Sequence, residues 1–406
     1  MKLIPAWLKW TLPVFVLAAV CYIATWAYAP ANLPITPADT NHLILNPHAA
    51  KPSLAQMIIL ESRLPRILTA VLCGAVLAVS GLLLQTMTRN PLASPSLLSI
   101  NAGASLGIIL TGVFLTGGDY SLTVTAATIN HTAYALAISL ILFGVYIRYA
   151  AQNTLLTLAC ILGGFALIIW QHRHPAGGYL SAQAVEHFLR GTRLSAAAAI
   201  GGALSWCLVM YISYKDGRLQ QNRLILAGIA VSAFCIALGR ASLLLDETQA
   251  SGVMRWLAGS LSNLTWARVH QYWPWVAIPI LPLLWLIPKL NILRLSDDAA
   301  QTLGLSVRQL RLAINLIVLV WIGASVAITG PIAFIGLLVP HAAQHWIGYD
   351  LRAALPMSAL LGALLLTGAD LLATALSQQG QLPAGAVLAI IGAPCFVLLA
   401  KRRSDQ

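Results

Sequence analysis

The sequence predicts an all-α protein that crosses a membrane many times, and three observations carry that reading. Of its 406 residues, 59% are hydrophobic and only 9% are charged, whereas soluble chains carry about 25% charged residues. The apolar residues fall into runs long enough to cross about 30 Å of hydrocarbon as helices. No polar stretch between them is long enough for a soluble domain, so 1–406 reads as a single membrane domain. A net charge of +12 then concerns orientation and anionic lipid rather than nucleic acid. The 6 cysteines lie in apolar runs without a C-x-x-C pair and read as small buried hydrophobes.

The runs can be taken in order. Lys2 and Lys9 precede an apolar run over 10–29. Its end, Ala27-Tyr28-Ala29, resembles a leader cleavage site, but the run is longer than a leader's apolar core, which predicts an uncleaved first span. Residues 30–59 are polar and hold Pro30, Pro34, Pro37, Pro47 and Pro52, which predicts an external loop. A second span follows over 64–87 and ends at Arg89-Asn90-Pro91. The third, 97–115, carries Gly103, Ala104, Ser105 and Gly107, a small-residue face that lets another helix approach closely. Further runs lie at 132–150, 154–171, 194–214, 223–245, 272–288, 309–329, 331–347, 353–376 and 384–400, making about twelve spans.

Basic residues near span ends set the orientation. With both termini inside, fifteen fall on inner segments, Arg89, Lys215, Lys289 and Arg294 among them. Eight fall outside, including Arg63 and Arg66. That places the stretch Asn291 to Leu312 in the cytoplasm. Here Arg294, Arg308, Arg311, Asp297 and Asp298 interrupt an otherwise apolar chain. Ser296 reads as an N-cap, with two acids in the first turn where the helix dipole favours them. Gly304 reads as the stop of that short helix, and Ser306 as the cap of the next.

Arg63 and Arg66 lie one turn apart and share a helix face. External cations run against the positive-inside bias. They suit either docking of an acidic partner or ordinary snorkelling beside Glu61. His341 and His345, at i and i+4, lack the glutamate of H-E-x-x-H. Asp370 and Arg240 are ionisable residues inside apolar runs and so candidates for function. No GxxxxGK[ST] occurs, so the chain does not bind ATP in that way and reads as a non-enzyme.

Several stretches together resemble one known family. They are Arg63-Leu64-Pro65-Arg66, Arg89-Asn90-Pro91-Leu92-Ala93-Ser94-Pro95, Leu226-Ala227-Gly228, Gly259-Ser260-Leu261, the 291–312 elbow, and Gly330-Pro331-Ile332-Ala333-Phe334-Ile335-Gly336 running on to Pro340-His341. The match, over about 54–116 and 223–403, is to the permease subunits of type II ATP-binding-cassette importers of the iron-siderophore, haem and cobalamin family. Those permeases have ten spans, so 117–193 reads as an insertion with one extra hairpin.

The resemblance implies a translocation pathway formed by two permease copies or homologues, without a cofactor, in a bacterial inner membrane. It implies two cytoplasmic ATPase subunits, contacted through Ser296, Asp297, Asp298, Gln301, Leu303 and Gly304. It implies a periplasmic or surface-anchored binding protein, docked by Arg63 and Arg66. Gln301 replaces an arginine common in the family. Thr374 and Gln381 replace an arginine and a glutamate that some members carry. Ferric siderophores are the expected cargo, with haem or cobalamin as alternatives. An ion-coupled secondary transporter is the competing class, and it would need more buried ionisable groups than Asp370 and Arg240. The residues lining the pathway are not legible.

Overall fold

The computed structural model describes residues 6–27, 35–45, 53–111, 182–215, 218–243, 256–262, 264–294, 297–377 and 382–404. The chain divides into two units, 1–118 with 191–406, and 119–190. The hairpin expected over 132–171, and most of the insertion expected over 117–193, lie outside the described residues. Apart from residues 182–190, everything below concerns the first unit.

Helices stand at ten of the twelve expected spans: α1 Ala6–Trp26, α4 Leu64–Thr88, α5 Ile100–Leu110, α6 Ala182–Ser213, α7 Gln221–Leu243, α8 Trp266–Leu290, α10 Val307–Thr329, α11 Ile335–Ile347, α12 Leu351–Leu376 and α13 Ala384–Ser404. Among the described residues 7 helices are long and apolar enough to cross a membrane. The protein is a multi-pass membrane protein. Between α6 and α7 the chain forms a two-residue antiparallel pairing, Tyr214 with Leu219 and Lys215 with Arg218. Helix α8 keeps its path despite Pro274, Pro279, Pro282 and Pro288, as membrane helices can when neighbouring groups satisfy the freed carbonyls.

The expected external loop over 30–59 is partly helical, which corrects the sequence reading. Helix α2, Pro37–Leu45, starts with its proline at the first helical position, where no amide is lost. The second span begins at Leu54, in α3 (Leu54–Ile58), ten residues earlier than expected. Its start is a capping box: the Ser53 hydroxyl accepts from the Gln56 amide at 3.3 Å, and the Ser53 amide donates to Gln56 Oε1 at 2.8 Å. A π-helical turn, Ile59–Arg63, joins α3 to α4. Across this turn the Leu64 amide bonds Ile59 rather than Leu60, and Pro65 has no amide to offer Leu60 either. The orphaned Leu60 carbonyl accepts from Trp266 Nε1 at 2.8 Å, which ties α4 to α8.

Helix α4 is the core of the unit. It packs against α10, α11 and α12, while α5 packs on α7 and α10. Its close neighbours are admitted by missing side chains. A Cβ on Gly81 would lie 1.9 Å from the Gly336 carbonyl oxygen of α11. Gly81→Leu is therefore expected to abolish recovery of monodisperse protein in detergent. Gly368→Leu should not, since nothing lies within 4 Å of a Cβ there; size-exclusion chromatography of both reads the difference. The small face expected on the third span is used in the same way: a Cβ on Gly103 would lie 2.4 Å from the Gly201 carbonyl oxygen of α6.

Two of the expected spans start later than the sequence suggested. The run 331–347 was expected to be helical throughout, yet helix α11 starts only at Ile335 and has 13 residues. That is about 20 Å at 1.5 Å per residue, short of a 30 Å membrane. Gly330 (φ 75) and Phe334 (φ 67) hold left-handed conformations that no helix can propagate. Helix α5 likewise starts at Ile100, three residues later than expected, after Ser99 (φ 62). The turns before both helices are set inside the bundle. A Cβ on Gly228, seven residues into α7, would lie 1.8 Å from the Leu97 carbonyl oxygen, so that turn sits about 10 Å along the helix.

Candidate functional site

Three places concentrate polar chemistry. At the start of α4 the two arginines share a face, as their spacing predicts, but that face turns inward. Arg66 Nε and Nη2 donate to Asp370 Oδ2 and Oδ1 at 2.7 and 2.8 Å, and Nη2 also reaches Thr374 Oγ1 at 3.1 Å. Such a bidentate pair is strong and fixes orientation. Arg66 is 21% and Asp370 11% exposed. Arg63 Nη1 donates to the carbonyls of Ala24 and Ala27 at the end of α1, at 3.2 and 2.7 Å, where a cation meets the negative end of the helix dipole. The two arginines thus clamp α1 and α12 to α4. Asp370, which the sequence singled out as an isolated acid, finds its partner 304 positions away.

At the opposite end of α4 lies the elbow. Its helix α9 runs Asp297–Thr302, within one residue of the expected Ser296–Leu303. Ser296 lies outside the described residues, as do the side chains of Asp297 and Asp298. Gly304 has φ 79. Its amide bonds the Gln301 carbonyl at 2.8 Å, and the Leu305 amide bonds Ala300 at 3.1 Å. These two bonds are a Schellman stop. Ser306 occupies the N-cap position of α10, but its hydroxyl donates to Gln309 Oε1 at 2.7 Å instead of accepting a backbone amide. Ala300 is fully buried, whereas Gln301 is exposed and Leu303 is 62% exposed. The short helix therefore packs by one side and offers a polar and an apolar residue outward.

The elbow is anchored firmly. Arg89 Nε donates to the Leu293 carbonyl at 3.1 Å. Asn291 donates to Asp350 Oδ1 at 2.8 Å and accepts the Leu351 amide at 3.0 Å. Arg294 bonds the Tyr349 carbonyl and lies 5.2 Å from its ring centre. The Asn291 amide and the Arg352 N–H hold the Asp350 carboxyl below the usual carboxylate range. One end of α9 is thus tied to α4 and to the α11–α12 turn, and the other leads into α10.

The third place is a cleft of about 440 Å³ between α5 and α7. Its walls include Ser96, Ala258 and Pro331, from three non-helical turns, and Asn101, Ser232 and Arg240 from the two helices. Non-helical backbone at membrane depth is tolerated where it is buried in protein or lines a cavity. Asn101 Nδ2 bonds Ser96 Oγ at 3.1 Å and the Ile332 carbonyl at 3.0 Å, pinning two of the turns together. His341 and His345 lie on α11, away from this lining, and among the described residues no three His, Cys, Asp or Glu gather to hold a metal ion.

The model of the FecCD transport family matches residues 16–170 and 177–402. The chain belongs to the FecCD transport family. It is 41% identical over 397 residues to the Fe(3+) dicitrate transport system permease protein FecC of Escherichia coli (strain K12), covering 98% of this chain and 97% of that one. It is 33% identical to the hemin transport system permease protein HmuU of Yersinia pestis, covering 86% and 84%. It is 30% identical to the vitamin B12 import system permease protein BtuC of Vibrio cholerae, covering 90% and 88%. The fold matches an inward-facing metal-chelate type ABC transporter with a TM-score of 0.64 at 23% identity, over 97% of this chain and 98% of that one.

The chain is thus a transport permease, as its elbow, its Arg-Leu-Pro-Arg start and its Gly-Pro turn indicated. Sequence reasoning missed the cleft. Its one signal was Arg240, a cation inside an apolar run, whose neighbours on other helices no local pattern names.

Proposed function

We propose that this permease imports an iron(III) chelate of the citrate type, driven by ATP that partner subunits hydrolyse. The supporting observation is the 41% identity to an Fe(3+) dicitrate permease along nearly the whole of both chains. On this reading two permease copies, or one and a homologue, enclose the pathway. Both termini lie in the cytoplasm, and so does the elbow. Two ATPase subunits receive α9, with Ser296, Asp297, Asp298, Gln301 and Leu303 at the contact and Gly304 turning the chain back into the membrane. A binding protein docks at the Arg63 and Arg66 end. Arg66 would there share its charge with Asp370, and Arg63 is bonded to the Ala24 and Ala27 carbonyls, so Arg63→Gln, which removes the charge and keeps a donor for them, is the cleaner test of docking.

Co-purification tests the assembly. The solubilised permease, expressed with the ATP-binding-cassette ATPase and the citrate-binding protein of the same organism, should retain the ATPase through size exclusion. A permease that elutes alone, intact and monodisperse, contradicts the reading. Arg63→Gln should slow association of the binding protein and reduce its salt dependence; an association rate equal to the parent's would remove Arg63 from the docking surface.

A further inference from the structure

The cleft between α5 and α7 carries one cation and no acid among its lining residues, Arg240. Arg240 sits in the last turn of α7, where the helix dipole favours a cation. It is exposed in the isolated chain and makes no hydrogen bond or ion pair with the described residues. An ionisable group within a membrane span is costly to keep and is a functional candidate by default.

A second observation comes from the opposite wall. Asn101 is only 6% exposed, yet its Oδ1 has no hydrogen-bond partner while its amide nitrogen has two. That oxygen is shut off from the cleft, so Asn101 acts there by holding Ser96 in place. Ser96 accepts from Asn101 and keeps its own proton to give. The cleft therefore offers a guanidinium fork and a hydroxyl donor around about 440 Å³, a volume in the range of small-molecule sites.

We propose that Arg240 and Ser96, the latter positioned by Asn101, form a transient site for an anionic, carboxylate-bearing iron(III) chelate on its way through the permease. This rests on the import reading above and adds the residue that selects charge. The arginine fork matches a carboxylate in two places at once. One cation, rather than a cluster, suits a pathway that must release what it holds. Ser232, Cys235, Ile236 and Gly239 complete the α7 wall, and the irregular turns give the chelate backbone dipoles instead of lipid.

The test is the initial rate of radiolabelled iron(III) citrate uptake in proteoliposomes holding the complete transporter, at matched permease content. Arg240→Gln should lower uptake about tenfold or more at subsaturating chelate, as loss of a charge-assisted contact does. Arg240→Lys, which keeps the charge and loses the fork, should fall between the parent and Arg240→Gln. Uptake by Arg240→Gln equal to the parent's overturns the proposal. So does an equal fall in both variants, because shape rather than charge would then matter. If the parent itself takes up no iron(III) citrate, the import reading fails first and the site falls with it.

Discussion

Asp370→Ala is expected to destabilise the folded permease by about 3 kcal/mol, because it leaves the Arg66 guanidinium half-buried without its counter-charge. The pair joins α4 to α12 through two short bonds, and Arg66 also holds Thr374. Thr374→Val removes only a neutral acceptor and should cost about 1 kcal/mol. Arg66→Glu should be worse than Asp370→Ala, since it sets two carboxylates against each other. The exchange Arg66→Asp with Asp370→Arg should recover part of the loss. Unfolding midpoints in mixed micelles of increasing sodium dodecyl sulfate fraction read all four. An Asp370→Ala midpoint equal to the parent's would show that the pair contributes nothing to the fold, and would return Arg66 to the role of a free docking cation.

Gly304→Val is expected to uncouple the permease from its ATPase while leaving it inserted. A Cβ at Gly304 meets nothing within 4 Å, so the substitution adds no clash. Its whole cost is conformational: a β-branched residue at φ 79 is strained by about 1–2 kcal/mol. The strain is relieved by opening the two bonds from Gly304 and Leu305 that stop α9. The helix then loses its fixed direction relative to α10. Motion can pass between a cytoplasmic subunit and a membrane helix only through an element that keeps its shape. Binding-protein-stimulated ATP hydrolysis and uptake should both fall by about tenfold or more, the scale of about 1.4 kcal/mol per decade. Gly304→Asn, which tolerates the left-handed region, should lie between. A Gly304→Val complex that assembles and couples as well as the parent rules out α9 as the transmitting element.

What the sequence revealed and what it hid follow from the range of each interaction. Gly304 and α9 were legible because a glycine stop acts within a few residues of the helix it ends. The small face of α5 was legible for the same reason, although its partner α6 was not. The Arg66–Asp370 pair was not legible, since 304 positions separate its members and nothing local to either residue names the other. The early start of the second span was hidden by prolines that read as loop. Pro52 stands one residue before the Ser53 cap, and Pro37 sits where a helix tolerates it. The late start of α11 was hidden because Pro331-Ile332-Ala333-Phe334 is as apolar as any helix. Only the left-handed φ of Phe334, and the packing of its ring beside Gly392, show why the chain stays unwound there. Those turns line the cleft, so the least legible backbone is the part assigned to the cargo.

The central claim is ATP-driven import through this chain. The measurement that tests it most directly is iron(III) citrate accumulation in proteoliposomes containing the permease, its ATPase and its binding protein, with ATP inside or outside. Accumulation is expected only when ATP is on the ATPase side and the binding protein is on the other, and none when the permease is left out. Accumulation without ATP, driven by an imposed proton or sodium gradient, would contradict it.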